Sequence, residues 1–298
     1  MSFQPGPRPA WLFAAPALFI FIWSSGYIAA KFAATAADPL TFLCVRYVGS
    51  TVLMVLLAGW ARATWPSAPH AVRIALAGIL MQAVYLGGVW VSVRHGMSAG
   101  VAALIVNLQP VLTAAAGPLI GERVTARQWG GLGLGVVGVG LVVSNKIVDA
   151  SMPAYTVGLT LLSLIGITVG LLYQKRNVPA FDLRTGQAIQ FAASLVVTLP
   201  FAWLFESHRF DVNLTSLLTL AWSIFVLTGV GITLLFLMMR HGDATRVTSY
   251  MYLAPAVTAL MAWPLFGETF GAVALLGMGI TIAGVALVVT RSKRGELT

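Results

Sequence analysis

Pro118-Leu119-Ile120-Gly121-Glu122 opens a glycine-spaced apolar segment that closes on Val139-Gly140-Leu141-Val142-Val143, and Pro264-Leu265-Phe266-Gly267-Glu268 opens another that closes on Val285-Ala286-Leu287-Val288-Val289. Slid by 146 positions without a gap, residues 118–144 match at 12 of 27 places, and the matches include proline and glutamate positions that shared hydrophobicity does not supply. The likeness extends upstream. Ser92-Val93-Arg94-His95-Gly96 and Met238-Met239-Arg240-His241-Gly242 each lead into an apolar segment with a proline in its middle. Repetition at a fixed offset marks a duplicated structural unit.

With 58% hydrophobic and 9% charged residues over 298 positions, the chain has too little polar surface to cover a water-soluble globule. About 20 apolar residues cross the hydrocarbon core as a helix. The hydropathy pattern breaks into ten such segments, near 11–31, 39–60, 72–93, 98–119, 127–145, 154–174, 184–205, 215–239, 245–266 and 271–291. The first is longer than a signal-peptide core, lacks a small-residue cleavage site and precedes nine more spans, so it reads as a retained helix. Cys44 is the single cysteine, which leaves no disulfide framework and no cysteine-based metal site. The net charge of +9 is scattered singly through loops; it reads as a topology signal and gives no nucleic-acid footprint. With the N-terminus inside, 13 of 18 basic residues fall on the inner face, Lys31, Arg94, Lys146 and Arg209 on the outer face, and Arg46 within a span. Positive charge gathers on the cytoplasmic side, so both termini are expected there.

The expected fold is an all-α integral membrane protein of ten transmembrane helices in two inverted five-helix repeats. Residues 1–10 and 292–298 form cytoplasmic tails, 11–145 and 154–291 the repeats, and 146–153 an extracytoplasmic linker. An odd number of spans per repeat forces the second copy to enter the membrane the other way up. Inverted halves of this kind build alternating access around a site near the bilayer midplane.

Trp23-Ser24-Ser25-Gly26-Tyr27, Arg46-Tyr47, the prolines of Gln109-Pro110 and Ala254-Pro255, and the two Gly-Glu turns before glycine-rich spans together resemble the drug/metabolite transporter superfamily, in its ten-helix EamA branch. The resemblance covers almost the whole chain, and within the branch the chain looks most like the amino-acid exporters, including the aromatic amino-acid exporter group. It implies a multi-pass protein of the bacterial inner membrane that exports small metabolites without a cofactor. Fold does not fix function, so the substrate rests on the residues that line the path.

Proline inside a helix removes a backbone donor and displaces the carbonyl four residues earlier. Here that points to Val106 before Pro110 and Met251 before Pro255. Matching helix breaks in two repeats point at a binding site. On the proline faces lie Ala103, Asn107 and Pro110 in one copy and Thr248, Tyr252 and Pro255 in the other. Gln82, Tyr85 and Trp90 in the third span, with Trp23, Ser24 and Tyr27 in the first, add aromatic surface and hydrogen-bonding groups, the lining that a small amphipathic molecule requires. The bland reading is helix packing, with interface belts for Trp11, Trp60, Trp65, Trp129 and Trp203. Lys31 either draws a substrate carboxylate or snorkels to the interface. Arg46, some 7 residues into its span, either reaches the headgroups or faces a wet cavity.

All nine acidic residues and all four histidines fall in loops or at span ends. Proton-driven carriers commonly use a buried carboxylate, so the sequence predicts a facilitator, with a proton-coupled exporter as the alternative. An intramembrane enzyme would need a His-Glu-x-x-His motif, paired intramembrane aspartates or a Ser/His pair, and the spans hold none. A channel calls for a ring of like groups that two copies do not provide. No metal or cofactor is expected. The partners expected are a small-molecule substrate and the bilayer, with no nucleic acid. The glycines Gly130, Gly131, Gly135 and Gly138 of the fifth span and Gly277, Gly279 and Gly284 of the tenth supply close-packing faces, and the fused halves make a monomer the simpler expectation.

Overall fold

A computed structural model describes residues 11–116, 125–148, 152–234 and 253–289. In chain order its helices are α1 (Trp11–Ala36), α2 (Pro39–Trp60), α3 (Ala68–Arg94), α4 (Ala99–Val106 continued by Gln109–Ala115), α5 (Ala126–Val148), α6 (Ala154–Asn177), α7 (Leu183–Phe205), α8 (Leu214–Leu234), α9 (Ala254–Phe266) and α10 (Ala272–Val289). Among the described residues there is no strand; an isolated antiparallel bridge joins Ala37 to Phe210. Seven of the helices, α1 to α3 and α5 to α8, are long and apolar enough to cross a membrane, and α4, α9 and α10 are shorter apolar helices. Of these, α4 is interrupted at Asn107-Leu108, and the first residues of the expected ninth span lie outside the described residues.

The helix ends follow local chemistry. Pro39 opens α2 and Pro255 sits in the first turn of α9, where a missing backbone donor has no intrahelical acceptor to lose. The Asn213 side chain accepts from the Ser216 amide at the start of α8, and Ser216 reciprocates, satisfying two orphan donors. Gly267 ends α9 at φ +65°, the left-handed conformation glycine adopts without strain.

Burial is inside-out relative to a water-soluble protein. Ser24, Ser50, Ser92, Thr160, Ser163 and Ser194 are fully buried, while Val52, Leu56, Val196 and Leu204 are more than half exposed. Most of these hydroxyls bond carbonyls: Ser194 donates to Gln190 at 2.7 Å and to Gly78 across the helix pair at 3.1 Å, and Ser92 to Gly88 and Thr156, while Ser50 pairs with the Thr228 hydroxyl. Small residues and interhelical hydrogen bonds replace the hydrophobic effect where the solvent is itself apolar.

Counterpart helices of the two copies pack antiparallel. In α5 and α10, a Cβ at Gly138 would lie 2.5 Å from the Gly277 carbonyl oxygen, and one at Gly284 would lie 2.7 Å from the Gly131 carbonyl oxygen. Gly131 and Gly138 match Gly277 and Gly284 at the 146-residue offset, so each contact is the other with the copies exchanged. Tyr47 of α2 stacks on Phe191 of α7, its counterpart 144 residues on, at 6.1 Å between centroids, and Thr41 near the start of α2 meets Glu206 at the end of α7. Exchange also relates the α3–α6 and α8–α1 pairs. A Cβ at Gly170 would meet Met81, and a Cβ at its counterpart Gly26 would meet Leu227, the counterpart of Met81.

Those last pairs carry a feature the sequence did not announce. Within α3, Ile79–Val84 forms a π-helical turn, and within α8, Trp222–Gly231 forms another. Shifted by 146, the first range falls inside the second. Each widened turn packs against glycines of the opposite copy, Gly166 and Gly170 on one side and Gly26 on the other. Isolated π turns are rare and concentrate at functional sites.

The turns before α2, α4, α6, α8 and α10 gather at one end, through the Ala37–Phe210 bridge, the contact of Gly96 with Pro153 and the hydrogen bond from the Ala99 amide to Glu268. At the opposite end the loops before α3 and α7 meet, where Thr185 donates to the Thr64 carbonyl and Arg73 to that of Asn177. Gly138→Leu and Gly277→Leu are expected to lower the unfolding midpoint and the monodisperse fraction in detergent, with overpacking on the order of 1–3 kcal/mol or more. Gly130→Leu, where nothing lies within 4 Å, should leave thermal melts and size-exclusion profiles unchanged.

Candidate functional site

Where the copies meet, a cavity of about 50 Å³ is lined by Trp23 and Tyr27 of α1, Tyr85 of α3, Asn107 and Pro110 at the break in α4, and Ala254 at the start of α9, with Ala103, Val106, Gln109 and Ile167. It takes counterpart residues from both copies: Trp23 with Ile167, 144 apart, and Gln109 with Ala254, 145 apart. The Tyr27 and Tyr85 hydroxyls lie 3.3 Å apart and share a hydrogen bond. Gln109 Nε2 donates to Thr113 Oγ1 at 2.8 Å. The volume is well below the roughly 300–1,000 Å³ of small-molecule sites, so in this conformation the walls are drawn together.

The α4 break arises from its sequence. Pro110 has no amide to bond Val106, and the chain turns at Asn107-Leu108: the Asn107 amide still reaches Ala103 at 3.0 Å, the Leu108 amide shortens to Ile105 at 3.1 Å, and a new helix starts at Gln109. Backbone irregularity at this depth is tolerated where it lines a cavity.

Trp23, Tyr27, Tyr85, Asn107 and Pro110 thus come together. Ser24, Gln82 and Trp90 are not among the lining residues. Ser24 is fully buried and its hydroxyl donates to the Ala254 carbonyl at 3.3 Å, tying α1 to the start of α9. Gln82 lies in the π turn, whose i→i+5 bonding widens the turn and breaks the one-turn spacing to Tyr85; its carbonyl accepts from the Tyr47 hydroxyl at 2.9 Å. Trp90 stacks on Phe42 at 5.1 Å, with the Arg46 guanidinium 5.9 Å above its ring. Pro255 is buried in the first turn of α9. Thr248 and Tyr252 lie outside the described residues. Val106 and Ile167 were missed as lining residues, because an apolar side chain in an apolar span carries no mark of which face it takes; Gln109 was quoted only as the residue before Pro110, although its amide in a span was the signal that could have found it.

Toward the Asp38 end the cavity is covered by a cluster one turn away. Lys31, four residues past Tyr27, forms an ion pair with Glu268, and the same Glu268 oxygen accepts from the amide of Ala99, four residues before Ala103, at 3.2 Å. Four helical residues span about 6 Å. Lys31 also lies over the Phe266 ring at 4.8 Å, Phe266 packs on Phe32, and a Cβ at Gly100 would lie 2.7 Å from the Phe270 ring. Lys31 is therefore neither at a helix end, since α1 runs on to Ala36, nor open to the cavity. Glu268 is 9% exposed, and its Oε2 is buried without a hydrogen-bond partner. Further out, burial pushes the Asp38 carboxyl up, but hydrogen bonds from Ser207 Oγ and the Arg209 amide outweigh it and hold the group below its ordinary range.

Among the described residues the cavity lining carries no carboxylate, imidazole or thiol, and no three His, Cys, Asp or Glu side chains are placed to hold a metal. Aromatic rings with hydroxyl and amide groups suit reversible binding of a small amphipathic molecule.

A profile of the EamA-like transporter family matches residues 10–144 and 154–290. The uncharacterized inner membrane transporter YedA of Escherichia coli (strain K12) is 24% identical over 277 residues, covering 93% of this chain and 90% of that protein. A probable amino-acid metabolite efflux pump of Salmonella typhimurium (strain LT2) is 22% identical over 278 residues, covering 90% and 91%. One solved crystal structure superposes with a TM-score of 0.64 at 14% identity, over 94% of this chain and 98% of that one, a likeness of fold.

Removing one partner of a buried ion pair strands the other, at a cost of about 3–5 kcal/mol, whereas replacing both is far milder. Lys31→Met alone is accordingly expected to lower the unfolding midpoint more than the double replacement Lys31→Met with Glu268→Gln. A coupling energy near zero in the thermal-melt cycle would contradict the geometry of the pair.

Proposed function

Since the chain belongs to the EamA-like transporter family, we propose that it is an alternating-access carrier of ten membrane-crossing helices, in inverted halves 11–145 and 154–291, that exports small amphipathic metabolites. Amino acids with aromatic or aliphatic side chains are the substrates this reading favours. The observation that carries it is the cavity lined by counterpart residues where antiparallel copies meet, the place where such carriers hold substrate. Trp23, Tyr27, Tyr85 and Asn107 form the binding surface, joined in this reading by Thr248 and Tyr252. Pro110 and Pro255 set the breaks about which the walls rearrange. The name of the Salmonella relative supports amino-acid metabolites and efflux, and that of the Escherichia coli relative supports the inner membrane.

Charge supports the orientation. Among the described residues Arg62, Arg73, Arg127, Lys175, Arg176 and Arg184 lie toward the end where the loops before α3 and α7 meet, against Lys31, Arg94 and Arg209 toward the Asp38 end. By the positive-inside rule the former end, with both termini, is cytoplasmic. The Lys31–Glu268–Ala99 cluster is then the outer gate, closed in this conformation. With no carboxylate among the described lining residues, this reading has substrate moving down its own gradient, and the fused halves working as a monomer.

Proteoliposomes preloaded with unlabelled L-phenylalanine or L-leucine are expected to take up the labelled amino acid by saturable counterflow, reduced roughly tenfold by Tyr27→Ala or Asn107→Ala. An imposed proton gradient should not drive accumulation above equilibrium; uphill uptake would overturn the facilitator assignment. In a Cys44→Ser background, Ala103→Cys is expected to be protected from an impermeant maleimide applied at the outer face and to label faster once Glu268→Gln is added. Equal labelling with and without that change would remove the cluster from the gate.

A further inference from the structure

Arg46 is 7% exposed, about 10 Å into α2 at 1.5 Å per residue. Its Nε is buried without a hydrogen-bond partner. Among the described residues the ion pairs are Lys31–Glu268, Arg184–Asp182 and Arg209–Asp211, so no carboxylate answers this guanidinium. What surrounds it is neutral: the Trp90 ring at 5.9 Å and, within electrostatic reach, the hydroxyls of Tyr47 and Tyr85. Both hydroxyls are engaged elsewhere, Tyr47 donating to the Gln82 carbonyl and Tyr85 sharing a hydrogen bond with Tyr27.

A buried cation without a counter-charge is costly, and an ionisable group held at this depth is a functional group by default. The duplication sharpens the point. The counterpart of Arg46 at the 144-residue offset is Gln190, fully buried and bonded to Gln174 at 2.8 Å. One copy thus fills the position with a neutral amide whose nitrogen has a protein acceptor, and the other with a cation that has no ion-pair partner among the described residues. Tyr85 connects that cation to the transport path, because its side chain lines the cavity, its hydroxyl bonds that of Tyr27, and it lies within electrostatic reach of Arg46.

Resting on the carrier reading above, we infer that Arg46 is the anchor for the carboxylate of the transported molecule, which makes organic monocarboxylates, amino acids among them, the substrate class and excludes their amides and esters. A planar guanidinium matches a carboxylate through two parallel N–H···O bonds. The anion supplies the charge that the protein withholds, and an uncharged amide leaves the cation as it was. Tyr27 and Tyr85 line the cavity and hydrogen-bond each other, and in this proposal that bond gives way when the carboxylate reaches Arg46.

The test uses the full chain purified in detergent and pairs of ligands that differ only at the acid: phenylacetate with phenylacetamide, and L-phenylalanine with L-phenylalaninamide. Thermal unfolding is followed by tryptophan fluorescence. For the parent protein the acids should raise the midpoint with an apparent affinity at least on the order of tenfold tighter than the amides. Arg46→Gln should erase that preference, and Arg46→Lys should keep part of it. Equal stabilisation of the parent by acid and amide, stabilisation by neither, or an undiminished preference in Arg46→Gln each overturns the assignment. Should Arg46→Gln fail to fold, the parent preference and its partial retention in Arg46→Lys still decide. Acid-selective stabilisation without counterflow in proteoliposomes would instead remove the carrier reading and leave the anion site standing.

Discussion

The backbones of α5 and α10 touch at glycine, and the arrangement of the molecule depends on that contact. In lipid there is no hydrophobic gain from bringing two apolar helices together, so association rests on how closely their backbones approach. Gly138 against Gly277 and Gly284 against Gly131 leave no room for a β-carbon. These are the same contact seen twice, so they fix the copies antiparallel. With that relation set, the glycines of α1 and α6 receive the π turns of α8 and α3, Tyr47 meets its own counterpart Phe191, and the cavity forms between Trp23 and Ile167.

Charge is handled in two different ways inside this frame. Lys31 and Glu268 are neutralised by each other, 237 residues apart in sequence, beside the first turn of α4. Arg46 is surrounded by rings and hydroxyls that carry no formal charge. The first arrangement holds helices together, and the second leaves an electrostatic demand near the cavity. Ser194 and Ser92 are satisfied by carbonyls, and other buried groups left without a partner, such as the Thr198 hydroxyl, are neutral; among the described residues Arg46 differs in carrying a buried charge with no ion-pair partner.

Much of the fold was legible because membrane helices announce themselves by length and composition, and duplication by offset. The described helices lie where the apolar segments are. Trp23, Tyr27, Tyr85, Asn107 and Pro110 were legible too, since an aromatic or polar side chain in a span, or a proline with a counterpart in the other copy, stands out. The π turn in α3 was not, because it depends on packing against Gly166 and Gly170 of the other copy, and it took Gln82 off the face that regular helical spacing gives it. Nor was the burial of Glu268, whose turn is local but whose partner belongs to α1. Lys31 was read at a helix end because charge usually ends a span, whereas here an ion pair lets α1 continue to Ala36.

The glycine contacts have a genealogical corollary. When contacts across a seam map onto one another under exchange, as these two do, a lone copy already carries both surfaces, and two such copies inserted in opposite senses are self-complementary. Joining them in one polypeptide makes the opposed insertion permanent and frees each position to specialise. Arginine at 46 against glutamine at 190 is a polarity that a pair of identical subunits could never have evolved, since any gain on one side would have been copied onto the other.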